Sequence, residues 1–370
     1  MNKLFFILLS LLALVSCSSD NDSSTSGDDY NRTELLTNWA DNLIIPRLTN
    51  YQTKVATLQA STTTFTTTPD QTSLDVLRTA WLEAYKAYQY VGSFNIGKAE
   101  EINFNAATNT YPTSATGITT NITNGGYNFA LLSQYDKQGF PALDYMLNGL
   151  AVTDAEIIDF YVSNGNATAY KQYLTDLSNT LKSNIDLVVT DWNTSYRATY
   201  IASNGNAISS SVNKTINSFV KYYEKDIRAG KIGISAGIFS TGTTFPEKVE
   251  AYYKNDVSKE LLNESIIATK DFFNGKHFNS ATVGVSLKSY LDYLNAVRDG
   301  QKLSDIINNQ FATINSTNAL LSDSFSNQVT TNNTAMLASY DELQRLVVNF
   351  KLDMMTAFNI TVDYVDADGD

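Results

Sequence analysis

The stretch QGFPALDYMLNG, Gln138 to Gly149, places one carboxylate, Asp144, just behind a glycine and a Phe-Pro pair. A carboxylate in that setting can do one of two things. Its oxygens can meet a ligand in a cleft. Or it can stabilise a helix start, where unpaired N–H groups favour negative charge by roughly 0.3–1 kcal/mol. With Pro141 in the first helical position, Asp144 falls within the first turn or so, and the second role needs no ligand. The two roles are compatible, because ligands also meet free N–H groups at helix starts.

Other catalytic side chains are scarce. The chain has one histidine, His277, in NGKHFN. A zincin needs two histidines one turn apart, and a Ser-His-Asp triad needs its histidine beside the nucleophile. His277 follows Gly275-Lys276 and reads as a turn residue near a helix C-terminus. One histidine and one cysteine, Cys17, argue against a zinc site and leave no internal disulfide. The run Asp366 to Asp370 looks superficially like a calcium loop, but an EF-hand needs a glutamate well after its glycine. It reads as a solvated acidic end. Formal net charge is −12 with scattered Lys and Arg, so nucleic acid is not an expected partner.

The elements that must position these residues are helical. Leu74, Leu77, Trp81, Tyr85 and Tyr88 recur at steps of three or four and share one face. Tyr170, Leu174, Leu177, Leu181, Ile185, Val188 and Trp192 repeat the pattern, as do Phe219, Tyr223 and Ile227. Met336, Tyr340, Leu343, Val347, Phe350, Met354 and Phe358 form the longest stripe. Pro69 can open the Trp81 helix, and Thr153 with Glu156 makes a capping box. Gly230, Gly275 and Gly300 read as helix stops. The Thr-rich run 61–68 reads as a loop, and Ile360 to Val365 as a short extended tail. The regions 92–126 and 230–246 are rich in Gly and Pro; irregular regions of that length are candidate site walls. Amphipathic helices joined this way predict an all-α fold of two helical bundles, over 31–200 and 201–370. The polar segment 195–211 is the candidate boundary.

The first residues bear on location. A short charged start and the apolar run Leu4 to Leu14 fit a secretory signal, too short to span a bilayer as a mature helix. The run ends in Leu14-Val15-Ser16-Cys17, which looks like a lipobox, so residues 1–17 read as a lipoprotein signal with Cys17 as the lipidated residue. Acyl chains contribute about 0.8 kcal/mol per buried CH₂, which would hold a multiply acylated Cys17 on a membrane. Residues 18–30 are polar and acidic and read as a flexible tether. The expected place is the cell envelope, on the periplasmic or the outer face of the outer membrane.

Several stretches together resemble the imelysin, or M75 peptidase, family. RTAWLEAYKAYQYVGSFNIGKAE (Arg78 to Glu100) resembles its Trp-bearing helix and glycine turn. EINFNAATNTYPTSATGI resembles the segment reaching an aromatic-Pro pair, here Tyr111-Pro112. YYEKDIRAGKIGISAG, PEKVEAYYKNDVSKELL and the C-terminal KLDMMTAFNITVDYVDADGD resemble its second-half signatures. The resemblance implies an exported, often lipid-anchored, all-helical protein linked to iron uptake. The family motif Gly-x-His-x-x-Glu falls on Gly139 to Asp144, with Pro141 at the histidine position and Asp144 at the glutamate position. Pro141 has no ligand atom. A metal held at Asp144 would need oxygens from elsewhere, such as Glu250 or Asp226, and would suit iron or another hard divalent cation better than zinc.

Carried over by position, Gly139, Asp144, Arg228, Lys231 and Glu250 are the expected lining of a cleft between the halves. The expected partners are a small ligand or metal complex, the membrane through Cys17, and an envelope transport partner. The leading expectation is a binding protein without catalysis. The alternatives are a divergent M75 metallopeptidase and a glycan- or peptide-binding lipoprotein.

Overall fold

A computed structural model describes residues 28–365. The signal segment, Cys17, most of the tether and Asp366 to Asp370 lie outside the described residues. The chain is helical, apart from irregular connections and one antiparallel pair of two-residue strands, Val297–Arg298 and Gln301–Lys302, joined at Gly300. No helix among the described residues is long and apolar enough to cross a membrane.

The apolar stripes account for the packing. Every residue named above in the four stripes is buried. In the first half, helices Ile45–Thr67, Gln71–Tyr88 and Ala167–Asp191 pack side by side. In the second half, helices Ser258–Asn274 and Asn333–Val348 pack on the wide-turned π-helix Tyr222–Gly233, and helix Leu303–Asn318 packs on both of them. One apolar core runs through both sets. The first helix, Arg32–Asn38, packs on the second-half helix Ser211–Lys221, and the Trp39 ring meets Phe272 at 5.1 Å. Asp28 to Tyr30, read as tether, belong to this fold: Tyr30 stacks on Tyr290 at 4.1 Å, and the Tyr290 hydroxyl donates to Asp28 at 2.7 Å.

Local chemistry sets several boundaries differently from expectation. Asp70, with Ser73, caps the Trp81 helix, so Pro69 lies before the cap. The Thr153–Glu156 capping box forms, and Gly275 ends its helix at φ 71°. Gly230 ends nothing, because the π-helix runs through it. The Thr-rich run closes the Ile45–Thr67 helix instead of forming a loop. Leu58, Thr62 and Phe65 are buried there, and the threonine hydroxyls donate to carbonyls one turn back, as Thr62 does to Leu58. The region 92–126 folds into short helices, among them Phe104–Asn109. The 360–365 tail is irregular and docks on Asn217, which donates to the Thr361 carbonyl at 3.1 Å and accepts from the Asp363 N–H at 3.0 Å.

Candidate functional site

The motif helix, Gly139–Asp144, begins at a position only glycine fits. Gly139 has φ 75°, and a Cβ there would stand 2.2 Å from the Thr108 carbonyl oxygen. Pro141 is the third residue of the helix, where no intrahelical N–H bond is needed. Asp144 is the last residue of this short helix and is buried. Its oxygens accept from the backbone N–H groups of Tyr253 at 2.8 Å and Lys254 at 2.9 Å, and from the Asn148 amide at 3.0 Å. Asp144 is therefore not a first-turn helix charge. It pins the loop 249–255, in which Ala251 and Asn255 stand at φ 56° and 68°. Burial pushes its carboxyl up to about 7, against the pull of those three hydrogen bonds.

The same loop carries Glu250. Lys231 and Glu250 are both buried and form an ion pair. Glu250 also accepts from Asn109 at 2.8 Å and Gln89 at 3.4 Å, and Asn109 in turn accepts from the Tyr85 hydroxyl. Burial lowers the Lys231 ammonium from its ordinary value, with Glu250 opposing. First-half side chains thus meet second-half charges in one polar seam. Arg228 takes no part in it. Its guanidinium turns into the second half, bonding the Tyr340 hydroxyl at 2.9 Å and Gln344, 3.8 Å from Glu224.

Two cavities adjoin the seam. A small one, about 120 Å³, is lined by Asp144, Pro141, Tyr111, Pro112, Tyr252 and others. A larger cleft, about 460 Å³, opens between the 95–110 segment and the stretch 214–226, with Asp363 as a further wall. That volume is within the usual range for small-molecule sites. Asparagines dominate its lining, among them Asn103, Asn105, Asn109 and Asn217. Its walls are tied together. Ser218 donates to the Ser93 carbonyl at 2.9 Å and accepts from the Asn95 N–H at 3.1 Å. Gly92 lets the Tyr222 ring lie on the backbone, where a Cβ would stand 2.4 Å from that ring.

Asp226 lines this cleft, open to solvent. Among the described residues it makes no hydrogen bond or ion pair. Two further lysines of the lining, Lys214 and Lys221, are exposed and form no ion pair among the described residues.

The predicted residues therefore separate. Lys231 and Glu250 come together beneath the cleft through Asn109, Asp144 lines the smaller cavity, and Gly139 serves backbone packing. Arg228 lines neither cavity. The pair Asp144 and Glu250 does not fit a metal ion. The Asp144 oxygens are engaged by three N–H donors and those of Glu250 by Lys231, Asn109 and Gln89. Among the described residues no group of three His, Cys, Asp or Glu side chains converges as a metal site. The asparagines of EINFNAATNT went unweighed in the sequence. Their signal is three amides, at 103, 105 and 109, in a Gly- and Pro-rich region.

This architecture is shared with solved proteins. An imelysin-like protein from Psychrobacter arcticum 273-4 superposes with TM-score 0.70 at 17% identity, over 90% of this chain and 97% of that one. A protein described as an iron-regulated protein A precursor, from Parabacteroides distasonis ATCC 8503, superposes with TM-score 0.71 at 15% identity and the same coverages. At these identities the likeness establishes an imelysin-type helical fold. The sequence profile of the family Imelysin (Peptidase_M75) matches residues 44–349, and the chain belongs to that family. No curated protein matches the sequence.

Proposed function

We propose that this protein is a non-catalytic binding lipoprotein of the cell envelope, anchored through Cys17, that holds a polar iron complex in the 460 Å³ cleft. One observation carries the reading. The carboxylates nearest the family motif are engaged by the protein's own donors, whereas the cleft presents amides, the carboxylates of Glu100, Asp226 and Asp363, and two lysines free of ion pairs among the described residues. A chelate presents a surface of oxygens and amides, which such a lining can hydrogen-bond without entering the iron's coordination shell. The iron assignment draws on the description of the Parabacteroides relative. A peptidase would need a metal-activated water at an open site, and the engaged oxygens of Asp144 and Glu250 supply no such site. An envelope transport partner would then receive the bound complex.

Calorimetry of the purified domain with ferric hydroxamate and ferric citrate complexes tests this reading. Saturable binding of at least one complex is expected, with no chelator-sensitive cleavage of casein. Absence of binding together with chelator-sensitive cleavage would replace this reading by the peptidase one.

A further inference from the structure

The first described residues are held down on the second half. Tyr30 stacks on Tyr290 at 4.1 Å and meets the Tyr293 ring at 5.3 Å. Asp28 pairs with Arg32 at 2.9 Å and accepts from the Tyr290 hydroxyl at 2.7 Å. From Cys17 to Asp28 is eleven residues, which span at most about 40 Å. An anchor at Cys17 therefore holds the fold by one end, beside the first helix, Arg32–Asn38.

Three connections ring that helix. In 203–210, Asn204 donates to the Thr33 hydroxyl at 2.5 Å. In 275–286, the Val285 carbonyl accepts from Asn38 at 2.8 Å. The third leaves helix Leu287–Tyr293, whose Ser289 hydroxyl meets that of Tyr30 at 2.8 Å, and leads into the two-residue strands. Each presents an apolar tip: Ile208, Val283 and Val297 are 62–66% exposed, and Tyr293 at the start of the third is 48% exposed. Leu131 and Leu132 are exposed elsewhere, and single exposed apolar residues are ordinary. Exposure alone does not choose a face; the anchor does. The arginines at this end, and Lys288, are committed to carboxylates: Arg32 to Asp28, Arg197 to Asp41, Arg298 to Asp353 and Lys288 to Asp292. A dock on anionic lipid uses clusters of free Lys and Arg. This end offers apolar contact instead.

We propose that this end is the membrane-facing surface, with Ile208, Val283, Tyr293 and Val297 dipping into the lipid interface. The proposal rests on the reading of Cys17 as the lipidated residue. Tethering keeps this end within reach of the bilayer, so an apolar contact too weak to recruit the free protein suffices to orient the anchored one. Tyrosine and aliphatic tips suit the interfacial layer.

The chain from Cys17 onward has one thiol, which couples to a maleimide lipid on phosphatidylcholine vesicles. Trp39, Trp81 and Trp192 are buried, so an added tryptophan is the one that reports quenching by brominated lipid. Val297→Trp is expected to lose emission on brominated vesicles relative to plain ones. Adding Ile208→Glu and Val283→Glu to it is expected to abolish that loss. Leu132→Trp, also exposed and apolar, is expected to lose none. Its segment, Leu132–Lys137, is held where the Lys137 carbonyl accepts from Tyr173, about 35 Å of helix away from Arg197 and its partner Asp41. Loss at both tryptophans alike, at neither, at Leu132→Trp alone, or surviving both glutamates overturns the membrane-facing end and leaves the anchor reading standing. Native protein extracted from membranes without acyl mass on Cys17 overturns the anchor reading and this proposal with it.

Discussion

Replacing Lys231 by methionine lowers the unfolding free energy by about 3–5 kcal/mol, because it strands the buried Glu250 carboxylate without its counter-charge. The loss comes from the orphaned charge more than from the missing contact. A second variant separates the two. Lys231→Met with Glu250→Gln removes both charges but keeps an amide oxygen for the Asn109 and Gln89 donors. That double variant should recover most of the loss, because a neutral, hydrogen-bonded pair carries no uncompensated charge into the interior. Urea unfolding of wild type, the single variant and the double variant measures both values. A double variant as unstable as the single one would mean that the ion pair itself, and not the avoidance of a lone charge, holds the seam.

Asp144→Ala is the second large effect, a loss of about 2–4 kcal/mol. It leaves the Tyr253 and Lys254 N–H groups without their acceptor and frees a loop held at two positive φ values. Limited proteolysis should then cut within 249–255, where wild type resists. Acidity gives an independent reading. The folded Asp144 holds its proton up to about pH 7, whereas the unfolded group holds it only up to its ordinary value near 3.8. Between those values the folded state binds more protons, so this group's contribution to stability falls as pH rises from about 4 to about 7 and is flat above. The slope over that window should therefore be shallower in Asp144→Ala than in wild type. Unchanged stability, proteolysis and slope would return Asp144 to the role of a dispensable helix charge.

The legible part of this fold was its periodicity. Steps of three and four in the Trp81, Leu177 and Val347 stripes give the helices, because an amphipathic face is written into sequence order and needs no distant partner. The Thr-rich end of the second helix was misread because its propensity is poor, and the burial of Phe65 and Thr62 that overrides it is tertiary. Asp144 illustrates the limit for the site. Nothing local says that its partners are the N–H groups of Tyr253 and Lys254, more than a hundred residues away. Arg228 was placed by position in a motif, yet the π-helical turns around it decide which way it points.

Labour is divided in this protein: the seam of Asp144, Lys231 and Glu250 holds the walls, and the cleft beside Asp226 takes the ligand. Anomalous scattering at the iron edge from crystals equilibrated with a ferric hydroxamate tests it most directly. The predicted result is an iron peak in the cleft, between the 95–110 segment and Asp226, with no protein carboxylate in its coordination shell. An iron peak coordinated by Asp144 and Glu250, with Lys231 displaced, would contradict it.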